Sequence, residues 1–182
     1  MTDLLAFELP PGLEAREPPE ARGITRDAVA MMVAFRSTGT LVHSRFALLP
    51  TFLEPGDLVV VNTSGTLPAA LTGVAAGTRR PVAVHLSTRL DDGLWVVEPR
   101  HPTRHASRRW AAGAGDGEPP RHVVLGDGAA VHLLEPYRGG GRLWVARLEL
   151  PEPVPAWLAR HGRPIRYGHV ERPWPLSDYQ NV

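Results

Sequence analysis

Four small hydrogen-bonding side chains and a glycine, Asn62-Thr63-Ser64-Gly65-Thr66, follow directly on the apolar run Leu58-Val59-Val60-Val61. Backbone N–H groups in such a loop can face a ligand. The same residues also suit a plain connection whose Asx- and ST-turns satisfy its backbone, and composition leaves both readings open. A second constellation is basic: Arg100, His101, Arg104, His105, Arg108, Arg109 and Trp110 occur with no acidic residue between Pro99 and Gly115. Guanidinium forks match phosphate geometry and an adjacent indole can stack on a base, so this stretch could contact RNA. The competing reading is a solvated basic loop.

Other chemistries find little support. All 20 basic residues are arginine, which removes a lysine nucleophile, a Schiff base and a P-loop lysine. No cysteine is present, so disulfides and thiolate metal sites are excluded. His101 and His105 are four apart, a metal-binding spacing on a helix. Pro102 between them argues against a helix and no third ligand lies nearby, so no metal is expected. The glycine runs at 113–117 and 138–142 lack a strand-to-helix dinucleotide context and read as turns. Neither a Gly-x-Ser-x-Gly elbow nor a paired-carboxylate motif is found, so a self-contained hydrolase has no support.

The elements that would hold these groups can be read from patterning. Pro55-Gly56 predicts a tight turn, and Leu58–Val61, with three β-branched residues in a row, predicts a strand buried on both faces. Thr25 to Ser37 reads as a helix, with Thr25 as N-cap, Val29, Met32, Val33 and Arg36 at helical spacing, and Gly39 as the stop. After Gly73 the pattern becomes all-β. Val82, Val84 and Leu86 alternate with Ala83, His85 and Ser87, and Asp92-Gly93 turns into Leu94-Trp95-Val96-Val97. A second hairpin turns at Gly126-Asp127-Gly128, and Arg142–Leu150 reads as a closing strand. Five strands with hairpin connections suit a small barrel, which removes exposed edges. Past Pro151, a short helix is expected before Gly162, and Leu176–Gln180 looks like the start of another.

These readings give an α+β fold: a mixed α/β lobe, 1–71 plus 151–182 and incomplete at its C-terminus, with an inserted, mainly antiparallel β-barrel at 72–150. With 182 residues, 43% hydrophobic and 21% charged, the chain has a soluble globular composition. It lacks a membrane-length apolar run, and acidic residues stand where a signal peptide would be basic, which predicts a cytoplasmic protein with no membrane partner. The net charge of +1 gives no global attraction to nucleic acid.

Pro55-Gly56-Asp57-Leu58, then Asn62, then Leu67-Pro68-Ala69-Ala70-Leu71 resembles the signature of the S-adenosylmethionine:tRNA ribosyltransferase-isomerases of queuosine biosynthesis. Leu9-Pro10, Ala15, Pro18, Arg22 and the pair Tyr179-Gln180 extend the resemblance, which spans nearly the whole chain but about the first half of a family member. It implies S-adenosylmethionine as co-substrate and ribosyl donor, and tRNA as partner. The acceptor it implies is a 7-aminomethyl-7-deazaguanine base, converted to epoxyqueuosine. It also implies substrate contacts at Asn62, Thr63, Ser64, Thr66, Tyr179 and Gln180, and RNA contacts at Arg100, Arg104, Arg108, Arg109 and Trp110. The remaining half, with a Pro-Thr-Ala-Gly-Leu-His-Phe block, would be a further partner, and this chain by itself is expected to be inactive. Two arginines of the family pattern are replaced here, by the Thr63-Ser64-Gly65 stretch and by Ala70. Their loss removes bidentate partners for a carboxylate or phosphate, so the acceptor stays open and a non-catalytic RNA- or protein-binding barrel is the alternative.

Overall fold

The computed structural model describes residues 8–104, 106–110, 115–166, 168, 170 and 172–179, the side chains of Pro11 and Tyr179 excepted. The chain divides into two compact units, Met1–Ser64 with Asp178–Val182, and Gly65–Ser177. The second unit extends past 72–150 on both sides.

In the first unit, β1 (Ala30–Phe35) and β2 (Thr40–Arg45) pair antiparallel in the register Ala30↔Arg45 to Phe35↔Thr40. The helix expected over Thr25–Ser37 is therefore a strand, preceded by one 3-10 turn at Arg26–Ala28. A short apolar segment satisfies both periods, and a partner strand that bonds its backbone decides for β. Gly39, at φ 70°, closes the hairpin loop rather than capping a helix. The turn at Glu54–Asp57 forms as expected, with Gly56 at φ 105° and Asp57 Oδ2 accepting from the Glu54 N–H. The buried strand expected at Leu58–Val61 does not form. Leu58 is 88% exposed and Val60 86%, and no residue among the described 8–64 is buried. A strand covered on both faces needs neighbours on both sides, and none of these residues supplies one.

The second unit is built on a closed barrel. Its strands are β3 (Ala70–Ala75), β4 (Pro81–Arg89), β5 (Trp95–Pro102), β7 (His122–Gly126), β8 (Ala129–Pro136) and β9 (Trp144–Glu149), with β6 (Ser107–Arg109) added at the outer edge of β5. The order β4-β3-β7-β8-β9-β5 closes through β4–β5 pairing, and the described pairings within it are antiparallel. Both predicted Asp-Gly turns are present; Asp127 and Gly128 have φ of 48° and 75°, as the two-residue hairpin turn requires. Closure takes six strands, not five, the additional one being β3. Inside lie Val82, Val84, Val97, Val123, Val131, Leu133, Trp144 and Ala146, each 5% exposed or less. Trp157 and Leu158 of α1 (Val154–His161), each 1% exposed, enter the same core. No helix among the described residues is long and apolar enough to cross a membrane.

Two glycines are dictated by space. A Cβ on Gly73 would overlap the Val124 carbonyl of neighbouring β7. One on Gly162 would overlap the Pro68 carbonyl, where two backbone bonds of 2.9 Å join Ala70 to Arg163. Gly73→Ala and Gly162→Ala should each lower stability in urea unfolding by about 1–3 kcal/mol. Gly141→Ala, which meets nothing within 4 Å, should change it by less than about 0.5 kcal/mol.

Candidate functional site

On β4 the even positions 82, 84 and 86 fill the core, so Ala83 and His85 point to the opposite face, yet they are only 6% and 8% exposed. The β4–β5 register sets His85 opposite Glu98 and Ala83 opposite Arg100, and the β5–β6 register sets Arg100 opposite Arg109. The ladder thus collects a carboxylate, two guanidiniums and an imidazole on the outer face of one three-stranded patch. Arg142, just before β9, joins them.

The bonds run as a chain. Arg142 donates to Glu98 through two atoms, Nε to Oε1 and Nη2 to Oε2, each 3.2 Å. Arg100 Nη1 donates to Glu98 Oε1 at 2.6 Å, while its Nε and Nη2 donate to Ser107 Oγ and the Ser107 carbonyl, each at 2.7 Å. Ser107 Oγ lies 3.3 Å from His85 Nε2. Burial alone would raise the Glu98 carboxyl, but the bonds from Arg142 and Arg100 outweigh it and hold it below the usual carboxylate range. Burial, aided by the Arg100 charge, pushes His85 down to about 4. His85 is therefore neutral near pH 7. Ser107 Oγ, which accepts from Arg100 Nε, has both a proton and a second lone pair to offer His85 Nε2, so the pair suits either imidazole tautomer.

Two clefts meet at His85 and Arg166. One, of about 380 Å³, is lined by Glu98 and by four arginines, Arg100, Arg109, Arg142 and Arg166. The other, of about 420 Å³, is more apolar and includes Leu71, Pro102, Pro164 and Trp174. Both depend on the segment after α1, which the Ala70–Arg163 bonds pin beside β3.

The basic stretch is a β-arm, not a loop. Arg100, 15% exposed at its side chain, is consumed by Glu98 and Ser107, and Arg108 holds Asp116 with two bonds of 2.6 and 2.8 Å. The acidic partners lie just outside the window that reads as purely basic. Arg104 and Arg109 are exposed and make no side-chain ion pair among the described residues. Trp110 stacks on His101 at 3.7 Å and donates to the Gly117 carbonyl. Burial, with Arg108 nearby, lowers the His101 pKa. His105 lies outside the described residues, and no group of three metal-binding side chains occurs among those described.

Asn62, Thr63, Ser64 and Thr66 are exposed, and Asn62 Oδ1 accepts from the Ser64 N–H at 3.0 Å, an Asx-turn. Tyr179 ends a 3-10 turn at Leu176–Tyr179, and Gln180 lies outside the described residues. Sequence reading missed His85, Glu98, Ser107, Arg142, Arg166 and Trp174 as one group. The available signal was a polar residue set in each of two apolar runs, His85 in 82–86 and Glu98 in 95–99.

Residues 2–182 match the family described as queuosine biosynthesis protein. The chain belongs to that family. It is 43% identical over 174 residues to an S-adenosylmethionine:tRNA ribosyltransferase-isomerase from Moorella thermoacetica, covering 90% of this chain and 47% of that protein. A protein of the same name from Rubrobacter xylanophilus is 32% identical over 182 residues, covering 100% and 48%. A solved structure of S-adenosylmethionine tRNA ribosyltransferase from Thermotoga maritima is 29% identical, with a TM-score of 0.31, covering 77% of this chain and 43% of that one. The chain spans about half the length of these relatives, as the resemblance implied.

The His85 environment has a pH consequence. The unfolded chain binds the imidazole proton near pH 6.5 and the folded one only near 4, so between those values the unfolded state carries more protons. Stability should be complete above about pH 6.5 and fall as pH drops toward 4. An NMR titration should find the His85 midpoint near 4; a midpoint near 6.5 would contradict the burial argument.

Proposed function

We propose that this chain serves as the N-terminal part of an S-adenosylmethionine:tRNA ribosyltransferase-isomerase, in which the barrel handles RNA and the donor is bound with help from residues beyond it. The carrying observation is the family match over residues 2–182 together with coverage of about half of each relative. In this reading S-adenosylmethionine donates the ribosyl group and a 7-deazaguanine base of tRNA accepts it. Asn62, Thr63, Ser64, Thr66, Tyr179 and Gln180 are the residues that the family resemblance assigns to substrate contact. Arg104 and Arg109 are the cations of the basic arm that reach RNA phosphates, while Arg100 and Arg108 stiffen it. No metal is required, and the protein works in the cytoplasm.

The first unit supports this division of labour. Its exposed Leu58 and Val60, in a run with the pattern of a buried strand, are the surface that the remaining length of a complete family member would cover. The barrel is then an insertion in a larger α/β domain. A second reading, a binding module without catalysis, is favoured by the missing pattern arginines near Ser64 and at Ala70.

Adenine release from S-adenosylmethionine, followed by chromatography with a tRNA carrying the 7-aminomethyl-7-deazaguanine base, separates the two. The chain by itself should release none. Adding the C-terminal half of the Moorella thermoacetica relative in trans should restore tRNA-dependent release. Release by the chain unaided would overturn the division of labour, and no release in trans despite RNA binding would favour the module.

A further inference from the structure

The two clefts on the barrel's outer face have complementary chemistry and a shared wall. In the smaller one, four guanidiniums face a single carboxylate, which leaves three positive charges after Glu98 is counted, since His85 is neutral. Glu98 does not spend them all. Arg100 has its Nε and both Nη groups occupied within the protein, but Arg142 stays 57% exposed while it grips Glu98. Arg109, across the strand pair from Arg100, is exposed and makes no side-chain ion pair among the described residues. Two cations, Arg109 on β6 and Arg142 in the β8–β9 connection, are therefore presented to the cleft, the arrangement a phosphate oxygen recognises.

The larger cleft offers a surface for a flat group. Trp174 lines it, half-buried, with Arg172 over its ring at 4.8 Å. His85, between the clefts, faces both. Volumes of about 380 and 420 Å³ are each on the scale of small-ligand pockets.

We propose that these clefts together hold one nucleotide of single-stranded RNA, its phosphate against Arg109 and Arg142 and its base against Trp174, with His85 beside the sugar. This rests on the RNA reading given under Proposed function and adds the site. Glu98 acts as an internal counter-charge that aims Arg142 and stiffens the arm. The base stacks on the indole face that Arg172 does not cover.

Filter binding of a single-stranded RNA oligonucleotide across a salt series tests this. Each phosphate contact on a single strand contributes about −0.7 to the log-log slope, so Arg109→Ala and Arg142→Ala should each flatten it by about 0.7. Arg147→Ala, an exposed arginine elsewhere on the barrel, should leave it unchanged. Trp174→Ala should weaken binding about ten-fold at every salt concentration without altering the slope, and Trp174→Phe should recover most of that loss. Inorganic phosphate should compete only at millimolar levels, and S-adenosylmethionine not at all. RNA binding with unchanged slopes in both arginine variants would overturn the site and leave the RNA reading standing. Displacement of RNA by S-adenosylmethionine would give the clefts to the donor. Competition by phosphate as strong as that of RNA would make this a free-anion site, and no RNA binding by the wild-type chain would sink both readings.

Discussion

The outer face of the barrel depends on one buried carboxylate. Glu98 sits on a strand at 8% exposure, and an ionised group so placed is tolerated only when charge and hydrogen bonds compensate for lost water. Arg142 reaches it from the β8–β9 connection and Arg100 from two residues along its own strand. Arg100 then bonds Ser107 twice, which seats the β6 arm, and Ser107 Oγ lies within reach of His85 on β4, across β5. Removing the carboxylate would leave two guanidiniums facing each other at the mouth of a cleft. Breaking a buried pair from one side typically costs about 3–5 kcal/mol, and the exposed position of Arg142 places this network toward or below the low end.

Barrel closure explains why such a network can exist. The β4–β5 ladder, from Ala83↔Arg100 to Arg89↔Trp95, both removes the sheet's edges and sets His85 opposite Glu98. A bulge in β4 between Leu86 and Thr88 shifts the register there, beyond the His85 pair. Core valines on one face and the polar cluster on the other are two products of the same alternation.

Much of the barrel was legible because its signals are local. Asp-Gly turns and period-two strands specify hairpins without reference to anything distant. Strand β3 was not legible, since Gly73 reads as a break; only the close approach of the Val124 carbonyl from β7 explains it. The segment Ala30–Phe35 was read as helix because its apolar spacing satisfies both periods, and the strand at Thr40–Arg45 that settles the choice lies beyond a loop. For Leu58–Val61 the apolar pattern is plain, yet nothing among the described residues 8–64 provides a buried environment for it. The site was less legible than the fold. An arginine count identifies a basic stretch, but whether Arg100 and Arg108 face a ligand or a carboxylate is decided by Glu98 and Asp116, which flank that stretch and enter it only through sheet register and turn geometry.

The central claim is that RNA lies on the outer face of the barrel, over β5, β6 and the segment after α1. Photo-crosslinking with a 4-thiouridine-containing anticodon stem-loop, followed by mass spectrometry of the adducted peptides, tests it without any substitution. The account predicts adducts on peptides containing Arg104, Arg109, Arg142 and Trp174. Adducts confined to residues 8–64, with the barrel peptides unmodified, would contradict it.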